Sequence, residues 1–147
     1  MEPLEKRMPD PLSILNELLQ CELSAERTCR HALEHRTGGL QPATLRALVE
    51  NHREAADAWR GLIRSRGGDP ARDAGVWGAW SEAVRSTGGV FGDAAERNAV
   101  RQEEDELVRR YEDALAAGAL DREAAALLER EWLPRARRHR ELLAGDR

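Results

Sequence analysis

Apolar residues recur every three or four positions through four long segments of this chain, and no stretch of useful length alternates apolar with polar residues. A 3.6-residue period buries its stripe only as a helix, so the chain is expected to be all-α. The first stripe runs from Asp10 to His35 through Leu12, Leu15, Leu18, Leu19, Cys29, Ala32 and Leu33, and Gly38-Gly39 ends it. The second opens at Pro42, a favourable first-turn residue, and carries Leu45, Leu48, Val49, Ala56, Trp59, Leu62 and Ile63 to Gly67-Gly68. The short loop between them makes these helices antiparallel neighbours. The third spans Asp93 to Ala117 with Ala99, Val100, Leu107, Val108, Tyr111 and Leu115 inward. Asp121 is placed to cap a fourth, which runs to about Leu143 with Ala124, Leu128, Trp132, Leu142 and Leu143 inward. Pro134 predicts a kink or local loosening within it.

The segment from Gly67 to Gly92, about 26 residues, is too long for a simple turn and is read as a crossover travelling the length of the bundle. It contains a short amphipathic piece, Val76 to Val84, with Trp77 and Trp80 to pack on the bundle side. Residues 1–9 are expected to be a disordered tail and 10–147 a single domain.

With 27 acidic against 23 basic residues the formal charge is −4, which gives no global attraction to nucleic acid or anionic lipid. No apolar run reaches the ~20 residues of a membrane span, and no signal-like segment opens the chain, so a cytoplasmic location is expected. Cys21 and Cys29, eight apart on one helix, stand about 12 Å apart and cannot pair; Cys29 reads as a small buried hydrophobe. Arg135, Arg137, Arg138 and Arg140 form a basic run that reads as favourable charge near a helix C-terminus rather than a phosphate site. The serines lack a triad or a Gly-x-Ser-x-Gly turn, and the Gly-Gly pairs lack the ending of a phosphate loop.

Several short motifs, in order, resemble those of a small bacterial four-helix-bundle family of the ferritin-like superfamily, a family without an established activity. They are Leu15-Asn16-Glu17-Leu18 and Glu26, Gly67-Gly68-Asp69-Pro70, Trp80, Glu104-Asp105 with Tyr111-Glu112, and His139, covering roughly residues 12 to 143. The resemblance implies a ferritin-like four-helix bundle with a long, helix-containing crossover between helices two and three. It allows a homodimer, with Trp77 or Trp80 serving a second buried face, and supplies a fold but no activity; a structural, interaction or stress-related role with an unidentified protein partner is the expectation for the chain. Metal-active members of the superfamily place a carboxylate on two helices and a Glu-x-x-His on each of the other two, around two iron or manganese ions.

Polar residues on the apolar stripes are the candidates for a central site: Glu22 and Glu26, His52, Glu104 with Glu103 at its edge, and Glu131, Arg135 and His139. At ~1.5 Å per residue, Glu26, His52, Glu104 and Arg135 fall in one layer near ~23 Å from the start of helix one. Glu131 lies roughly 6 Å below it and His139 roughly 6 Å above. No Glu-x-x-His occurs: Glu50 precedes His52 by two, and Ala136 stands three before His139. The spacing therefore favours a buried ion-pair layer, Glu26 and Glu104 bridged by Arg135 with His52 alongside, and no cofactor. The alternative is an iron- or manganese-binding metalloprotein with a degenerate site of Glu26, His52 and Glu104, completed by Glu131 or His139. A third possibility leaves most of these groups in water. The favoured function is a non-catalytic helical bundle.

Overall fold

A computed structural model describes residues 10–35, 39–75 and 93–145. These residues form helices α1 (Pro11–His35), α2 (Pro42–Ser65) and α3 (Asp93–Ala117), then a fourth rod of α4 (Arg122–Leu127), a π-helical stretch (Leu128–Trp132) and α5 (Leu133–Gly145). No strand occurs among the described residues. None of the described helices is long and apolar enough to cross a membrane. The N-terminal tail, the amphipathic piece of the crossover and both Trp77 and Trp80 lie outside the described residues.

Each helix starts and stops where its ends find partners. Asp10 accepts from the Leu12 amide at the start of α1. At the end of α2 the Gly68 amide donates to the Ile63 carbonyl and the Gly67 amide to Arg64, with Gly67 at φ +74°. This is a Schellman turn, which requires a left-handed residue that glycine adopts without strain. Gly68 is held small for a different reason, since a Cβ there would meet Leu12 Cδ2 at 2.9 Å. Asp121 caps α4 by accepting from the Ala124 amide at 2.9 Å, and Arg66 grips the same carboxylate from the end of α2. The Arg66 hydrogen bond holds the Asp121 carboxyl down to about 2.

Cross-helix contacts fix the directions. Asn16 accepts from the Ala71 amide and its side chain donates to the Asp69 carbonyl, so the start of α1 lies against the end of α2, an antiparallel hairpin. His52 meets Glu104, and one heptad on Trp59 meets Tyr111, so α2 and α3 run parallel. Asn51 meets His139 while Glu54 meets Arg135, so α5 runs against α2.

The core comes in two apolar clusters. One gathers Leu15, Leu18, Leu19, Trp59, Ile63, Leu107, Tyr111 and Leu128. The other gathers Cys29, Ala32, Leu45, Leu48, Val49, Val100 and Leu143. The buried polar residues Glu22, His52, Glu104 and His139 sit between them.

The loosening expected near Pro134 takes the form of the π-helical stretch, in which the Leu133 amide bonds back five residues to the Leu128 carbonyl. Pro134 has no N–H to give to the carbonyl four residues before it, and its ring crowds that carbonyl. The wider turn absorbs roughly one extra residue and shifts the inward phase of all that follows. Leu128 and Trp132, the two ends of the stretch, face in, as do Ala136, His139 and Leu143 after it. Leu142, expected inward, is 50% exposed instead.

Candidate functional site

His52 stands at the centre of the polar layer, 1% exposed. Its Nδ1 lies 2.7 Å from Glu22 Oε2 and its Nε2 2.6 Å from Glu104 Oε1. Ionised carboxylates only accept, so both contacts are hydrogen bonds when His52 carries both ring protons. Burial works to lower the His52 pKa, but the Glu104 and Glu22 charges outweigh it and hold the imidazolium well above its ordinary 6.5. For Glu104, burial works upward, and the His52 charge overrides it and brings the carboxyl down to about 2.

The network extends in both directions. The Tyr111 hydroxyl donates to Glu22 Oε1 and accepts from Trp59 Nε1 at 3.1 Å. Burial, then the Glu22 charge, pushes the Tyr111 hydroxyl well above its ordinary value, so it remains a donor. On the other side His139 Nδ1 stands 3.6 Å from Glu104 Oε2, beyond hydrogen-bond length, while Asn51 Nδ2 donates to His139 Nε2 at 2.9 Å. The His52 and His139 rings meet edge-on with centroids 5.4 Å apart. Cys29, fully buried, lies against His52, and burial pushes its thiol up to about 11. Beside His52 and His139 a cleft of about 10 Å³, lined also by Asn51, Trp132 and Arg135, has room for about one water.

Four helices thus contribute to one layer: Glu22 and Cys29 from α1, His52 from α2, Glu104 from α3 and His139 from α5. Two residues of the expected layer, Arg135 and Glu26, and one of the alternative metal site, Glu131, lie elsewhere. Arg135 does not bridge Glu26 and Glu104; it pairs with Glu54 at 2.5 Å and Glu131 at 3.4 Å and lies over the Trp132 ring. The π-helical stretch turns it outward and puts Ala136 and His139 on the inner face. Glu26 points to the rim of the α1–α2 seam, where Arg30 and Arg53 hold it at 3.1 and 3.2 Å. Its side chain is oriented by two half-exposed guanidiniums and not by His52. Glu131, with its side chain 43% exposed, is likewise on the surface.

Glu22 takes the place given to Glu26. Its inward position is legible in the sequence, but axial height alone favours Glu26, one turn on. Cys29 was legible only as a buried small residue, since a thiol on an apolar stripe looks like any hydrophobe. Glu103, at the edge of the helix-three stripe, is buried and accepts from the Ser24 and Thr28 hydroxyls at 2.9 and 3.0 Å.

No protein-family model matches the chain, and neither a curated protein nor a solved structure does.

Proposed function

We propose that the chain is a ferritin-like four-helix bundle whose centre is degenerate, and that it acts as a non-catalytic structural or interaction protein. The observation that carries this reading is His52, whose two ring nitrogens are both engaged by carboxylates from two other helices. A proton-bearing imidazole occupies the place between carboxylates that an ion holds in metal-active bundles. The parallel run of α2 and α3 supports the topology.

The donor set does not fit a pair of iron or manganese ions. Such centres take a carboxylate three residues before each histidine. Here those positions are Val49, 6% exposed, and Ala136, 2% exposed, both packed as core. The layer offers two carboxylates where the paired-ion chemistry takes four. What the layer does offer is register: a charged hydrogen-bonded knot between two apolar clusters fixes how the helices slide against one another, a recognised use of buried polar groups.

The test is aerobic Fe(II) oxidation followed by absorbance of the ferric product. The chain is expected to leave the rate at that of buffer. Oxidation faster than buffer that disappears on Glu104→Ala would overturn the reading in favour of an iron-handling metalloprotein.

A further inference from the structure

Cys29, which the non-catalytic reading does not use, adds a third donor to the His52–Glu104 pair of the polar layer. Cys29 Sγ, one ring nitrogen of His52 and one carboxylate oxygen of Glu104 all lie within 4.8 Å of one another, and all three residues are buried. Donor atoms around one tetrahedral Zn²⁺ stand about 3–4 Å apart, from bonds of about 2.3 Å to sulfur and about 2.0–2.2 Å to nitrogen and oxygen. Small side-chain shifts therefore close the set on one ion. His52 Nε2 is the nitrogen that faces Glu104, which leaves Nδ1 with Glu22 at 2.7 Å. A ring N–H held by a carboxylate behind a ligating imidazole is the usual second support of a metal-bound histidine. Tyr111, donating to Glu22, holds that carboxylate in turn.

A second observation points the same way. Glu104 Oε2 and His139 Nδ1, both buried, have no hydrogen-bond partner among the described residues. The two atoms face each other at 3.6 Å, beyond hydrogen-bond length, so this fully buried carboxylate oxygen is under-satisfied and able to take a cation.

We propose that Cys29, His52 and Glu104 bind a single borderline-soft divalent cation of the zinc or cobalt class, in exchange for the Cys29 thiol proton and the His52 Nε2 proton. The exchange balances. Before it, the thiol is neutral, His52 carries one positive charge, and Glu22 and Glu104 one negative charge each. Afterwards thiolate, neutral imidazole, two carboxylates and the dication carry the same sum, and two protons leave to solvent. The buried layer changes ligand without changing net charge, so the large cost of placing a new charge in the core does not arise. A thiolate ligand selects zinc-like ions over magnesium, calcium or manganese.

The experiment is titration of the full chain, stripped with chelator, with Co²⁺ alone, reading the thiolate-to-cobalt charge-transfer band in the near ultraviolet. The expected result is a band saturating at about one Co²⁺ per chain, with about two protons released per ion in weak buffer. Cys21→Ser should keep the band, Cys29→Ser should lose it, and Glu22→Gln should weaken Co²⁺ binding about 10–100-fold. His31 and His35, whose rings stack at 4.2 Å on the surface of α1, supply nitrogen only and give no such band. Absence of Co²⁺ binding, or binding without the band, overturns the proposal. The band and proton count are read on the unaltered chain, so a Cys29→Ser variant that fails to fold leaves the test intact. Failure here removes the cation site and leaves the bundle reading standing; only iron oxidation removes that.

Discussion

His52→Ala is expected to lower the folding stability of the metal-free protein by about 3–5 kcal/mol, the cost of breaking a buried ion pair by removing one partner. The substitution leaves Glu22 and Glu104 facing a void, each having lost its contact with His52, of 2.7 and 2.6 Å. Tyr111 still serves Glu22, whereas Glu104 keeps only His139, at 3.6 Å. Urea or thermal melts measure the loss. Replacing Glu22, His52 and Glu104 together by leucine should recover most of it, because the penalty lies in unpaired charge and not in missing volume. Arg135→Ala, by contrast, should cost about 1 kcal/mol or less, since its partners Glu54 and Glu131 are 55% and 43% exposed. A large loss on Arg135→Ala with little on His52→Ala would return the layer to the arrangement the sequence alone favoured.

The second large effect is pH dependence on the alkaline side. The groups facing His52 are Glu22 and Cys29 from α1, Glu104 from α3 and His139 from α5. With its folded pKa held well above the ordinary 6.5, His52 keeps its proton in the folded chain where the unfolded chain has lost it. Its stabilisation is fully present below 6.5 and is lost as pH rises through the folded value. Between those points the unfolding free energy falls by about 1.4 kcal/mol per pH unit. Glu104 has the opposite sign: its contribution is present above its ordinary 4.5 and is lost as pH falls through about 2. Melts of the metal-free chain from pH 6.5 to about 8.5, below the range in which the raised Cys29 thiol and Tyr111 hydroxyl add losses of their own, should show this decline, and His52→Gln should abolish it. A wild-type profile flat across that range contradicts a charged His52.

Much of the architecture was legible because one signal, the 3.6-residue period, governs it. The boundaries of α3, Asp93 and Ala117, follow from the apolar stripe and Gly118, and the parallel placement of α2 and α3 follows from the length of the crossover. The site was legible only in part. His52, Glu104 and His139 stand out as polar residues on apolar stripes. Arg135 falls inward only if Leu128–Trp132 is regular α-helix; Pro134 signals a disturbance but not that it rotates the downstream face. Glu22 and Glu26 are one turn apart on the same stripe, and only the contacts separate the acid that meets His52 from the one that meets Arg30 and Arg53. The partnership of Cys29 with His52 has no signature in one sequence at all.

The central claim is that a protonated His52 joins the carboxylates of α1 and α3. The most direct measurement is a ¹⁵N nuclear magnetic resonance titration of the imidazole nitrogens in metal-free protein, with His52→Gln used to assign the signals. Both His52 nitrogens should report bound protons at neutral pH and remain so well above 6.5. A His52 that is neutral at pH 7, or that loses its proton near 6.5, contradicts the account.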